Sequence, residues 1–178
     1  MDGRWARGYT ERLMARVATA STFRDLTAVL SMLDEFFWGP AWHGPSLRGA
    51  IRGVTAAQAV RRFGRGRHNI AELTVHAAYW KYAVRRRLSG SARGSFPLKG
   101  SNWFARDRAT PASWRADVAL LVNEHRQLRE VVSRLDTRQL ARRIPGSRWT
   151  ALETIRGAAA HDIYHAGQIQ LIKRATAL

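Results

Sequence analysis

Residues 150–174 read TALETIRGAAAHDIYHAGQIQLIKR, and this stretch predicts one long helix. Thr150 and Glu153 fit a capping box, in which each side chain bonds the backbone N–H of the other residue at a helix start. His161 and His165 are four residues apart, so their rings share one helix face, one turn apart. This spacing can present two nitrogens to one ion at the ~2.0–2.1 Å that zinc requires, and a third nitrogen must come from another element.

His76 is the best candidate for that third nitrogen. A second long helix is predicted to start at Asn69, which pairs with Glu72 in a capping box, and to end at Gly90. His76 lies in the middle of this helix, beside an apolar stripe formed by Ile70, Leu73, Ala77, Trp80, Val84 and Leu88. Three neutral imidazoles without a fourth protein donor leave open positions for water or substrate, which is typical of a reactive metal site.

The spacing of the histidines is not by itself specific for a metal. Two histidines four residues apart occur by chance, and a buried histidine is more often a hydrogen-bonded core residue than a ligand. The flanking residues favour a site, because Gly157, Ala158, Ala166 and Gly167 are small and leave room for a pocket. The chain has no Gly-x-Ser-x-Gly nucleophile motif, and Asp162 points about 100° away from His161, so a His-Glu-x-x-His type of base is not supported.

The rest of the chain also predicts helices and almost no strands. A stripe of apolar residues over 22–37 ends at Gly39-Pro40, and Thr110-Pro111 starts a third long helix. Shorter helices are expected from Thr55 to about Gly64 and over about 137–143, whereas residues 38–54 and 90–109 are expected to be loops. The fold class is therefore all-α, with four main helices and a long crossover between the first two. We expect one domain over 21–178, preceded by a loosely held segment over 1–20.

Composition excludes several classes of protein. The chain has 178 residues and no cysteine, which excludes a disulfide framework, thiolate zinc ribbons, iron–sulfur ligation and a cysteine nucleophile. No window approaches 18 uncharged apolar residues, so no membrane span is predicted. The arginines near the N-terminus are not followed by the apolar segment of a secretory signal. A cytoplasmic protein is the resulting prediction.

The strong positive charge has three possible explanations. The formal net charge is +17, with 30 Lys and Arg against 13 Asp and Glu, a balance that a nucleic-acid binder would show. The basic residues are nearly all arginine and are spread along the whole chain, whereas nucleic-acid proteins concentrate charge on one face. A solvated basic surface is therefore the preferred interpretation, nucleic acid is not the expected partner, and attraction of an acidic small substrate stays open.

The sequence context of the other three histidines predicts different environments for them. His125 stands between charged residues and is expected to be exposed, and His68 is expected in a turn before Asn69. His43 lies in the first loop, between Trp42 and Gly44, where it has a structural role or borders a pocket.

Taken together, these motifs resemble the DinB-like (DinB/YfiT) family of four-helix-bundle proteins. The resemblance covers about residues 22–174. It rests on Asn69-Ile70-x-Glu72-Leu73-x-x-His76, on Trp80, and above all on His161-x-x-Tyr164-His165-x-Gly167-Gln168-Ile169.

The resemblance implies a bundle with a long crossover, a homodimer, and a three-histidine site formed by His76, His161 and His165. It implies a divalent ion such as zinc, nickel, iron or manganese. The family name refers to damage-inducible expression, which is not a mechanism, and characterised relatives include thiol-dependent transferases and a maleylpyruvate isomerase.

We therefore expect a metal-dependent enzyme that activates a water or a low-molecular-weight thiol, as a hydrolase or thiol S-transferase does. An anionic substrate is also possible for this site. The side chains expected beside the ligands or in the pocket wall are Glu72, Tyr79, Trp80, Gln168 and His43. The alternatives are a non-catalytic metal-binding protein, a basic nucleic-acid-associated bundle, and a family member that keeps the histidines only as core residues.

Overall fold

The computed structural model describes residues 25–94 and 96–176, and these residues form seven helices. The helices are α1 over residues 25–38, α2 (Leu47–Ile51), α3 (Ala56–Val60), α4 (Ile70–Ser89), α5 (Pro111–Ser133), α6 (Thr137–Ala141) and α7 (Ala151–Ala175). The described residues contain no strand and only two isolated bridges, so the all-α prediction is confirmed. The segment predicted to be loosely held, residues 1–20, lies outside the described residues.

The four long helices share one buried apolar cluster. Leu33 of α1, Val84 of α4, Leu128 of α5 and Ile155 of α7 all belong to it, and three of these side chains are completely buried. Burial of each such side chain contributes roughly 1.5–3 kcal/mol to folding. This arrangement fits the predicted four-helix bundle.

Capping boxes set the starts of α4, α5 and α7 where the sequence predicts them. At α7 the backbone N–H of Glu153 donates to Thr150 Oγ1 at 3.2 Å, and the backbone N–H of Thr150 donates to Glu153 Oε2 at 2.8 Å. Each satisfied cap contributes about 1 kcal/mol, because it pairs N–H groups that the helix itself leaves free. The three caps fix where α4, α5 and α7 begin.

The crossover between α1 and α4 contains two short helices, one of which the sequence analysis missed. Residues 38–54 were expected to be a loop, but Leu47–Ile51 form α2, with Ser46 as its N-cap. Leu47, Ala50 and Ile51 of α2 are buried, so packing forms a helix that is too short to be recognised from periodicity. The next helix, α3, ends at Val60, earlier than the predicted end near Gly64.

The predicted loop between α4 and α5 folds back onto α4. Phe96 and Phe104 of the loop pack against Tyr79 of α4, with ring centroids 5.4 and 5.6 Å from the Tyr79 ring. This anchoring brings Asn102 and Trp103 beside the middle of α4.

None of the described helices is both long and apolar enough to cross a membrane.

Candidate metal centre

The three histidines singled out in the sequence meet between α4 and α7. The Nε2 atom of His161 lies 3.2 Å from Nε2 of His76 and 2.9 Å from Nε2 of His165. One ligand atom from each of the three residues lies within 4.8 Å of the other two. His76 comes from α4, and the pair on α7 is separated by one helical turn, so the convergence requires both helices.

His76 is oriented by the loop between α4 and α5. Its Nδ1 atom lies 2.8 Å from the backbone carbonyl of Asn102, which can only accept, so Nδ1 carries the hydrogen and Nε2 keeps its lone pair. The indole ring of Trp103 stacks on the face of the His76 ring, with 3.8 Å between the ring centroids. Asn102 has a φ of 64°, a left-handed conformation that is uncommon outside glycine and concentrates at functional sites.

Asn102 also fixes Trp80 through its side chain. The Trp80 Nε1–H donates to Asn102 Oδ1 at 2.9 Å, while the Trp80 ring meets His76 and His161 edge-on. One loop residue therefore orients a candidate ligand with its backbone and the neighbouring indole with its amide.

His165 is oriented in the same way from within α7. Its Nδ1–H donates to Gln168 Oε1 at 2.6 Å, which leaves the Nε2 lone pair directed at His161. The residue is buried, with 2% of its surface exposed, so water does not replace this partner. A hydrogen bond at the far nitrogen is the usual arrangement for a metal-bound histidine, because it fixes both the tautomer and the ring.

The donor set fits a divalent ion. Two lone pairs, on His76 and His165, face the Nε2 atom of His161, and a single N–H on that atom cannot donate fully to both. A cation satisfies all three nitrogens at once. Two nitrogens bound to one tetrahedral zinc lie roughly 3.3 Å apart, close to the separations seen here.

The electrostatics also favour the neutral, metal-binding form of the rings. Burial, reinforced by the charges of neighbouring groups, lowers the pKa of His161 to about 3 and that of His165 to about 4. Burial lowers the pKa of His76 as well. Near neutral pH no proton competes for the three lone pairs.

A cavity of about 940 Å³ opens on two of the imidazoles, those of His76 and His161. Trp80 and Asn102 form part of its wall beside them, and the small Gly157 and Ala158 leave the space on the α7 side. The cluster is therefore accessible to a small molecule from one direction and closed by protein on the His165 side.

The remaining predicted site residues fall into two groups. Trp80 and Gln168 lie directly against the histidines. Tyr79 packs among the aromatic rings of the α4–α5 loop instead. His43 borders a separate cavity of about 390 Å³, together with Gly167, and its ring meets Phe36 edge-on at 5.2 Å.

Glu72 does not touch the cluster but is connected to it through stacked rings. Its carboxylate accepts from Arg62 Nη2 at 2.7 Å and lies 3.0 Å from Nδ1 of His68. The His68 ring stacks on Trp103 at 3.5 Å, and Trp103 in turn stacks on His76. Glu72 also completes the cap of α4 with Asn69.

The prediction that His125 is exposed is wrong. Its side chain is completely buried and stacks on Phe37 with 3.7 Å between ring centroids. The neighbouring Glu124 is also buried and accepts from Arg85 at 3.1 Å, so a charged stretch that is typical of a solvated face lies inside the bundle.

Sequence reasoning missed Asn102 and Trp103 as parts of the centre. Both lie in the predicted loop over 90–109, and no sequence signal marks Asn102, because its role depends on a backbone conformation and on how the loop folds back.

Comparisons with known proteins give one finding. The family model described as the DinB superfamily matches residues 41–169, which include all three histidines. No curated protein and no solved structure matches the chain at a significant level.

Proposed function

The chain belongs to the DinB superfamily, and we propose that it is a divalent-metal-dependent enzyme acting on a small molecule through a water or a low-molecular-weight thiol. The observation that carries the proposal is the meeting of three imidazole Nε2 atoms at one end of an open cavity. Hydrolysis and thiol S-transfer are the two reaction classes considered.

His76, His161 and His165 would hold the ion. When bound, a divalent ion supplies a Lewis acid that lowers the pKa of a water or thiol, or polarises a substrate oxygen. Three imidazoles suit zinc, nickel, iron and manganese alike, and supply of the metal then selects among them.

The surrounding residues prepare the site before any substrate arrives. Asn102 and Gln168 hold two of the rings in the tautomer that directs Nε2 inward. Trp80 forms the α4 side of the cavity wall beside the imidazoles. Fixed partners of this kind reduce the reorganisation that a reaction would otherwise require.

The open cavity favours catalysis over the alternatives. A purely structural metal site is closed by four protein ligands, whereas this cluster offers three and borders space for a ligand. Histidines kept only as core residues would direct their lone pairs to protein donors, but here two of them face a third imidazole.

Metal analysis of protein purified without a histidine tag tests the proposal. We expect about one equivalent of a divalent ion in the wild type and in the control variant His43→Ala. In His161→Ala we expect metal affinity to fall by more than about 100-fold. Loss of a residue that only hydrogen-bonds a ligating histidine costs about 10- to 100-fold, and this variant loses the ligand itself. A stoichiometry near zero in supplemented wild-type protein would refute the metal site.

A screen of the metal-loaded protein for hydrolysis and thiol transfer then tests catalysis. Activity that is lost in His161→Ala and kept in Arg115→Gln, a change at an exposed position outside the cavity lining, supports the enzyme. One bound ion without turnover in either reaction class favours the non-catalytic metal-binding alternative. DNA binding that survives in His161→Ala and weakens steeply with salt would support the nucleic-acid alternative.

A further inference from the structure

The cavity next to the histidines has predominantly apolar walls. Its apolar lining comes from α1, α4, α7 and the segment before α7, through Met32, Phe36, Val84, Ile144, Trp149 and Ala158. Trp149 is 48% exposed, although a tryptophan of a folded domain is usually mostly covered. Walls of this kind bind the hydrocarbon or aromatic part of a ligand.

The charges that line the cavity are mainly positive. Arg87 and Arg156 contribute guanidinium groups, and Glu153 is the one carboxylate among the described lining residues. The Glu153 carboxylate accepts from the backbone N–H and Oγ1 of Thr150 at 2.8 Å in the cap of α7, and it also lies near the charges of Arg143 and Arg156. No ion pair joins Arg87 to an acidic group in the described part of the chain.

Arg87 lies where the cavity meets three smaller clefts that are also basic. These clefts share Arg87 and are lined by Arg86, Arg93, Lys99, Arg142 and Arg143, without a carboxylate among their described residues. Several positive charges therefore lie near the Arg87 guanidinium, and a bound anion would offset the repulsion between them.

The position of Arg87 on α4 gives the direction of a ligand. His76, Trp80, Val84 and Arg87 follow one face of the helix at steps of four, four and three residues, and all four line the cavity. Roughly 16 Å of helix rise separates the first from the last. Side chains of a helix lean toward its N-terminus, so the Arg87 side chain shortens this distance on the ligand side.

We infer that the cavity binds an elongated amphiphilic organic anion, with its apolar body along the walls, its anionic group at Arg87 and its other end at the histidines. The inference rests on the proposed function only where it concerns turnover of the bound molecule. Binding itself is independent of it, because the apolar walls and Arg87 are present without a metal. It specifies the substrate class of the same site: an acid with an apolar body.

Two fluorescent probes that differ in one anionic group test this inference. 1-Anilinonaphthalene-8-sulfonate carries a sulfonate, and N-phenyl-1-naphthylamine has the same rings without it. In metal-free protein we expect Arg87→Gln to weaken binding of the sulfonate about fivefold, the loss of one charge-assisted contact, and to leave the neutral probe unchanged. The control Arg115→Gln removes the same charge from an exposed position outside the cavity lining and should bind both probes as the wild type does.

A second pair of variants tests where the probes bind. Gly157 lines the cavity, Gly167 does not, and a Cβ added at either helical glycine meets no atom within 4 Å. We expect Gly157→Leu to reduce binding of both probes at least about fivefold by filling the cavity, whereas Gly167→Leu should bind both normally. Circular dichroism should show wild-type helix content in both variants.

Three results would overturn the inference. These are equal binding of the sulfonate by Arg87→Gln and Arg115→Gln, equal weakening of both probes by Arg87→Gln, and unchanged binding in Gly157→Leu. Because the probes are measured without metal, failure here leaves the metal site standing. Conversely, a failed metal analysis leaves the anion-binding cavity standing.

Discussion

Gln168 controls the tautomer of His165 through a single hydrogen bond, and this makes it a sensitive position for metal affinity. We expect Gln168→Ala to weaken metal binding by about 10- to 100-fold, the usual effect of removing a partner of a ligating histidine. Gln170→Ala is the matched control, because Gln170 lies on the same helix but lines the separate cavity beside His43. Competition with a chelator measures both, and equal affinities would show that His165 needs no such partner.

The Glu72 carboxylate contributes to the free energy of unfolding by an amount that depends on pH. Burial alone would raise the pKa of Glu72, but hydrogen bonds from Arg62 and His68 and from two backbone N–H groups lower it to about 2. A folded-state pKa below the unfolded value contributes stability that is complete above about pH 4.5 and is lost as the pH falls toward 2.

We therefore expect Glu72→Gln to be less stable than the wild type by about 1–3 kcal/mol at pH 7, with the difference shrinking below pH 4.5. Urea unfolding of metal-free protein at several pH values measures this. His125 stays neutral in the fold, since burial lowers its pKa to about 2, and it destabilises both proteins equally as the pH falls. A difference that does not change with pH would mean that the charge of Glu72 does not contribute to stability.

Sequence patterns located the ligand candidates and Gln168, which orients His165, but not the loop residue that orients His76. His161 and His165 share a face whatever the fold, because helix geometry fixes the four-residue spacing. Asn102 orients His76 from a loop, and its role depends on a left-handed backbone that no local residue pattern announces. His125 was misplaced because one of its charged neighbours, Glu124, is paired with Arg85 inside the bundle.

At the level of the helices, the ion pair between Lys81 and Asp162 joins the two elements that carry the histidines. Lys81 Nζ donates to Asp162 Oδ2 at 2.5 Å, and both side chains are at most 2% exposed. Asp162 directly follows His161, so this contact helps to set the alignment of α7 against α4.

We expect Lys81→Met to lower the free energy of unfolding by about 3 kcal/mol, because it leaves a buried carboxylate without its cation. The double variant Lys81→Met with Asp162→Leu removes both charges and should regain most of that loss. Urea unfolding of both variants gives the stabilities, and chelator competition shows whether metal affinity follows them. A double variant as unstable as the single one would show that the pair matters for packing rather than for charge.

The long helices were predictable because their ends carry strong local signals. Capping boxes at Thr110 and Thr150, and the glycine that ends α4 at position 90, are recognised from a few neighbouring residues. The five residues of α2 are too few to show a helical pattern in the sequence. A helix of that length is stabilised by what it packs against.

For the molecule as a whole, the homodimer stays a prediction, and the outer face of α7 is the surface on which to test it. Tyr164 and Leu171 are 63% and 59% exposed and lie two helical turns apart on the same face. We expect Leu171→Glu to shift the protein toward monomer in light scattering, because it places a charge in an apolar contact. Phe63→Glu changes another exposed apolar residue, 49% exposed, and should leave the mass unchanged. A monomeric wild type would contradict the dimer.

The loop that carries Asn102 has a consequence for how this protein can diversify. A connection between helices tolerates replacement far better than the helices do, yet this one supplies the hydrogen bond and the stacked indole that hold His76. Substitutions there can retune the affinity and reactivity of an ion while every ligand and every bundle contact is conserved. New chemistry on this scaffold is therefore most accessible through changes around Asn102 that leave the packed rings of Phe96 and Phe104 in place.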